Sequence, residues 1–138
     1  MLPKPHRLTA SQDFSAVMRR GAKAGTSTVV AAVLISRPAA AGERWDASTV
    51  SWRCGFIVSK AVGNAVIRHR TTRRLRHIVA DLIDSGTIEL PRQARTEIVI
   101  RSLAESAQAD HAALTADVHS GLRRSLVKAE KAEARAPN

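Results

Sequence analysis

The sequence predicts an α/β or α+β domain with one sheet and helices packed against it, and three stretches carry that expectation. In VSWRCGFIVS, residues 50–59, Val50, Trp52, Cys54, Phe56 and Val58 alternate with Ser51, Arg53, Gly55, Ile57 and Ser59, the period of a half-buried strand. From Asn64 to Asp84 the period becomes helical, and TEIVIR, residues 96–101, is again a strand. Strand, helix and strand in succession form a βαβ unit. A chain of 138 residues with 44% hydrophobic content suits one domain, 1–138, with its globular part at about residues 7–127.

The elements follow in order. After the basic lead PKPHR, Ser11 is placed to cap a helix over residues 11–20, with Phe14, Val17 and Met18 on one face and Gly21 ending it. STVVAAVLIS, residues 27–36, is rich in β-branched residues and reads as a buried strand. RPAAAGERWDAS, residues 37–48, has Pro, Gly and no periodicity, and is expected to be a long hairpin connection in which Trp45 has no evident partner. The strand over 50–59 turns one face to the core and leaves the other polar and open. SGTIELPRQA is a loop between the long helix and the strand at 96–101. Leu114, Val118, Leu122 and Leu126 at i+4 spacing mark a last helix, and residues 128–138, KAEKAEARAPN, are expected to be a frayed tail.

Placed at 100° steps, Ile67, Leu75, Ile78, Val79, Leu82 and Ile83 form the apolar face of the long helix. Arg70, Arg73, Arg74, Arg76, His69 and His77 fill the rest of the arc. Arg68 falls near the middle of the apolar arc, so it must snorkel or reach beyond the sheet edge. From residue 60 to residue 80 no acid offsets these bases. Like charges at helical spacing repel, so such a face costs stability until something anionic covers it. The bias to arginine matters too, because a planar guanidinium forks onto phosphate and stacks on bases. With 22 Lys and Arg against 12 Asp and Glu over the whole chain, the pattern points to a nucleic-acid binder. Ahead of the helix, SKAVGNA sets a small turn at a helix start, where free N–H groups favour phosphate; Asn64 as an N-cap accounts for the same residues without a ligand.

Other chemistry is thin. The single cysteine, Cys54, rules out an internal disulfide and a Cys-rich zinc site, and is expected to fill the core. His6, His69, His77, His111 and His119 lack metal-ligand spacing and acid partners. No Gly-rich nucleotide loop or nucleophile motif appears. A metal-dependent nuclease acting alone would need clustered carboxylates, and Asp81 and Asp84 read better as capping or solubilising residues. A basic helix lying on a membrane would carry aromatic anchors that this one lacks. No run approaches the roughly 18 apolar residues of a membrane span, and the N-terminus has no apolar signal core, so a soluble cytoplasmic protein is expected.

The segment Lys60–Arg76 resembles the signature of the bacterial ribonuclease P protein family, Lys-x-x-Gly-Asn-Ala-Val-x-Arg-Asn-Arg-x-Lys-Arg-x-x-Arg. It matches at Lys60, Gly63, Asn64, Ala65, Val66, Arg68, Arg70, Arg73 and Arg76, with His69 in place of Asn and Thr72 in place of Lys. RLTASQDFSAVMRRG is similar to the family's amino-terminal motif, with Met18 for its second Phe. The resemblance implies the order α-β-β-β-α-β-α, including a short strand near residues 22–25 and a left-handed βαβ crossover against the usual rule. It implies a protein subunit for a catalytic RNA that removes the 5′ leader of precursor tRNA, with Mg²⁺ held mainly by the RNA and no organic cofactor. The implied RNA-binding residues are Lys60, Asn64, Arg68, His69, Arg70, Arg73, Arg74 and Arg76. The implied leader-binding residues are Phe14, Met18, Ala32 and Arg53. The partners are then the catalytic RNA and precursor tRNA, with no membrane and no stable protein partner. The alternative is a ribosomal or other structural RNA-binding protein.

Overall fold

The computed structural model describes residues 4–37 and 51–135. A single turn of 3-10 helix, Lys4–His6, precedes α1 (Ser11–Arg20), β1 (Ala22–Gly25), β2 (Val29–Ser36), β3 (Trp52–Ile57), α2 (Ala65–Asp84), β4 (Arg95–Ser102), a second 3-10 turn (Ala104–Ala107) and α3 (His111–Arg135). The order of the major elements is the expected α-β-β-β-α-β-α, in an α+β fold with one mixed sheet.

The sheet runs β1-β2-β4-β3. β4 lies between β2 and β3, antiparallel to the first and parallel to the second. The stretch 37–48 is therefore not a hairpin connection: β2 and β3 are separated by a strand that arrives later in the chain. Most of that stretch, with Trp45, lies outside the described residues.

Alternation gives the sheet two apolar faces. Val29, Ala31 and Val33 of β2, Trp52 and Cys54 of β3, and Ile98 and Ile100 of β4 meet Leu75, Ile78, Val79 and Leu82 of α2 and Leu114, Val118, Leu122 and Leu126 of α3. These form the main core. Burial pushes the Cys54 thiol far above the usual thiol range, as befits a core filler. On the reverse face Leu8, Val17, Ala32 and Val99 make a smaller cluster, with Phe14, Met18, Leu34 and Ile57 packed around it. The reverse face is thus covered along its middle by α1 and is not simply polar and open.

Several local expectations are corrected. The cap position of α1 is Ala10, which has no side chain able to accept a hydrogen bond, and Ser11 is already helical. Thr26 turns the chain into β2, its hydroxyl oxygen accepting from the Val29 N–H at 3.1 Å, so the strand starts two residues later than predicted. The segment 128–135 is helical rather than frayed. Ala129 is buried there, and Lys128 Nζ donates to the Lys23 carbonyl at 2.9 Å, tying the helix to the outer edge of β1. The basic lead is also ordered: the Leu8 N–H donates to the Cys54 carbonyl at 3.0 Å, and His6 stacks on Trp52 with ring centroids 4.1 Å apart. It extends the sheet past β3.

Candidate nucleic-acid interface

α2 starts from a tight turn. The Val62 N–H donates to the Ser59 carbonyl and the Gly63 N–H to that of Lys60. Gly63 has φ +154°, and a Cβ there would meet the Ile67 side chain at 2.9 Å, so the turn requires glycine for backbone and space alike. Asn64 is the N-cap, its carboxamide oxygen accepting from the Ile67 N–H at 3.0 Å. The capping role is the one the geometry gives it. Lys60 and Asn64 are both exposed, so the turn still presents a charge and a polar edge to a partner.

The arginines of α2 then divide four ways, as 100° steps from the fully buried Leu75 require. His69, Arg70, Arg73 and His77 point to solvent on the outer face. Val66 stands with them, 75% exposed, a single apolar side chain of the kind protein surfaces commonly carry. Arg74, on one flank, is half-buried and turned to the protein: its guanidinium donates to the Ala109 carbonyl at 2.6 Å and reaches the Ser106 carbonyl at 3.5 Å. Arg76, on the other flank, lines a small cleft at the β3 edge. Arg68 is half-buried, and its Nε is shielded from water with no hydrogen-bond partner among the described residues. That is the snorkelling arginine the apolar arc foretold, with part of its donor capacity unused.

The cleft, of about 130 Å³, is walled by Arg7, Thr9, Phe14, Gly55, Thr72 and Arg76 among others. Phe14 lies against the backbone of Gly55 so closely that a Cβ there would sit 2.3 Å from the ring. Glycine lets the ring lie on the strand. Thr72, in the position of a family lysine, returns its hydroxyl to the Arg68 carbonyl at 2.9 Å and adds no charge.

Two expected leader contacts are corrected here. Ala32 is 0% exposed beneath α1, out of reach of any ligand. Arg53 is not a free cation: it sits opposite Glu97 in the parallel register and donates to that carboxylate at 2.6 Å, with Asp13 at 3.7 Å. Met18 and Phe14 both pack against the smaller cluster while remaining part-exposed, so each does structural work and keeps a surface. Sequence reasoning missed the partners of Arg74 and Arg53. A helical projection does put Arg74 at the edge of the apolar arc, but the Arg53–Glu97 pair needs the strand register, which local pattern does not contain.

Among the described residues no group of three or more His, Cys, Asp or Glu gathers to hold a metal, and no helix is long and apolar enough to cross a membrane. What the site offers is an array of guanidinium and imidazole groups beside an aromatic-floored cleft.

The family model for ribonuclease P matches residues 2–126. The chain belongs to the ribonuclease P protein family. A ribonuclease P protein component of Corynebacterium efficiens is 45% identical over 128 residues, covering 90% of this chain and 94% of the relative. One from Rhodococcus opacus is 46% identical over 124 residues, covering 90% and 91%. Among solved structures, the ribonuclease P protein of Staphylococcus aureus superimposes with a TM-score of 0.65 at 18% identity, covering 92% of this chain and 94% of its own. That of Thermotoga maritima gives 0.60 at 18% identity, covering 86% and 94%. Ribonuclease P proteins are components of a tRNA-processing endoribonuclease, and the fold is shared across wide sequence divergence.

Proposed function

We propose that this chain assists a catalytic RNA in removing the 5′ leader from precursor tRNA in the cytoplasm, with the outer face of α2 docking on the ribozyme and the cleft at the β3 edge receiving the leader. The observation that carries the reading is the division of α2. His69, Arg70, Arg73 and His77 face outward with no acid from residue 60 to residue 80, a surface that a phosphate backbone would neutralise. Arg68, with a buried and unpartnered Nε, gains a partner when RNA reaches the rim.

In the cleft, Phe14 supplies a flat ring for a single-stranded base, with Arg7 and Arg76 as the basic track. Arg53 acts indirectly, holding Asp13 and thereby the first turn of α1, so that Phe14 stays over Gly55. Hydrolysis belongs to the RNA and to Mg²⁺ held mainly there; the protein's residues bind, screen charge and orient.

Reconstitution tests this reading. Purified protein alone should leave precursor tRNA intact, and its addition to ribonuclease P RNA should restore cleavage at a low Mg²⁺ concentration where the RNA alone is slow. Cleavage by RNA-free protein, or no stimulation of the RNA, would overturn it.

A further inference from the structure

Between α2 and the first turn of α3 lies an open hollow of about 360 Å³ lined by Arg70, Arg73, Arg74, His77 and His111. Five basic side chains come from two helices far apart in sequence, and among the described residues no carboxylate lines the hollow. Its construction is specific. Arg74 is spent on the carbonyls of Ala109 and Ser106, which fastens the segment entering α3 to the flank of α2. The nearest acid in sequence, Asp110, is occupied: its Oδ1 accepts from the Ala113 N–H at 2.7 Å and caps α3. His111, the first residue of that helix, is left exposed at its positive end, facing the two free arginines.

We propose that this hollow seats one backbone phosphate of an RNA, with His111 of α3 and His77 as contacts beside Arg70 and Arg73. The proposal rests on the docking role of α2 and extends the interface to a helix outside the arginine-rich signature. Arginine forks match phosphate oxygens, and imidazole N–H groups add single donors from the sides. The hollow is too open to enclose a free small molecule, whereas a phosphate on a long backbone arrives already held by its neighbours. An anion there also relieves the repulsion among the basic groups that line it.

Binding of the full chain to ribonuclease P RNA alone, and of the assembled enzyme to precursor tRNA, is measured for His111→Ala, His77→Ala and the charge control Arg123→Ala, which is exposed farther along α3. The expected result is a roughly threefold to tenfold loss for each histidine variant, the size of one charge-assisted contact, with no loss for Arg123→Ala and no change in melting temperature. Loss with the isolated RNA assigns the phosphate to the ribozyme, and loss only in the assembled enzyme assigns it to tRNA; either supports the seat. Wild-type affinity of His111→Ala in both assays overturns it while leaving the α2 reading intact. Wild-type affinity of Arg70→Ala together with Arg73→Ala would remove the reading beneath it.

Discussion

The outer face of α2 and the strand β3 beside the leader cleft both carry arginine, yet they treat its charge in opposite ways. On the outer face Arg70 and Arg73 stand in solvent, and among the described residues no acid pairs with them. Near the cleft Arg53 is closed off by Glu97 and Asp13, and Phe14 rests on a glycine beside it. An uncompensated row attracts any polyanion that comes within about a Debye length, and its contribution depends steeply on salt. A paired arginine adds little long-range attraction and instead fixes geometry. The difference teaches that arginine count alone does not locate an RNA contact: the partners decide whether a guanidinium is an outward hand or an inward brace. α2 carries both kinds, with Arg73 outward and Arg74 turned to the Ala109 carbonyl one residue later.

The sharpest way to break the cleft is Gly55→Val. Its side chain would occupy the space of the Phe14 ring, so we expect a loss of about 2–3 kcal/mol in denaturant unfolding from overpacking, with the leader preference lost as the ring is displaced. An unchanged unfolding midpoint would mean that Phe14 moves aside freely. On the outer face, Arg70→Ala/Arg73→Ala should weaken ribozyme RNA binding roughly tenfold or more and lower the magnitude of its salt slope by about two, while stability holds or rises slightly as like-charge repulsion is removed. Arg74→Ala should do the reverse. It strands two carbonyls and loosens the entry to α3, for about 1–2 kcal/mol of stability, while the salt slope measured at a temperature where the variant is folded stays near wild type. Smallest of the four, Glu97→Gln weakens the partner of Arg53. Unfolding should show a loss of about 1 kcal/mol for this part-buried pair, and precursor tRNA binding should tighten slightly as the arginine is released; weaker binding without misfolding would make Glu97 itself a contact.

Much of the fold was legible because its elements are strongly periodic. The i, i+3, i+4 pattern of Phe14, Val17 and Met18 places α1 at residues 11–20, and Asn64 marks the start of α2 with its cap. What local pattern lacked was strand order. Nothing between residues 37 and 48 announces that β4 will insert beside β2, so a hairpin was the natural expectation, and Ala32 could not be placed beneath α1 from alternation alone. The continuation of α3 through the Lys- and Glu-rich end was masked by its composition; it is held by Ala129 in the core and by the Arg37–Glu133 pair at 2.7 Å, both products of tertiary structure. The outer basic face was readable from charge and angle, since it depends on one helix. The brace at Arg53 depends on two strands and a helix, and emerged only with the register.

The most direct test crosses the two regions. Affinity for ribonuclease P RNA and the ratio of precursor to mature tRNA affinity in the assembled enzyme are measured for Phe14→Ala and for Arg70→Ala/Arg73→Ala, with protein saturating the RNA in the second assay. The account predicts that Phe14→Ala lowers the precursor-to-mature ratio by roughly fivefold or more, the value of one base–aromatic stack of about 1 kcal/mol or above, and leaves ribozyme binding intact, while the arginine variant loses ribozyme affinity and keeps the ratio. If both variants lost both properties together, or if Phe14→Ala reduced precursor and mature tRNA equally, the separation of docking face and leader cleft would be contradicted.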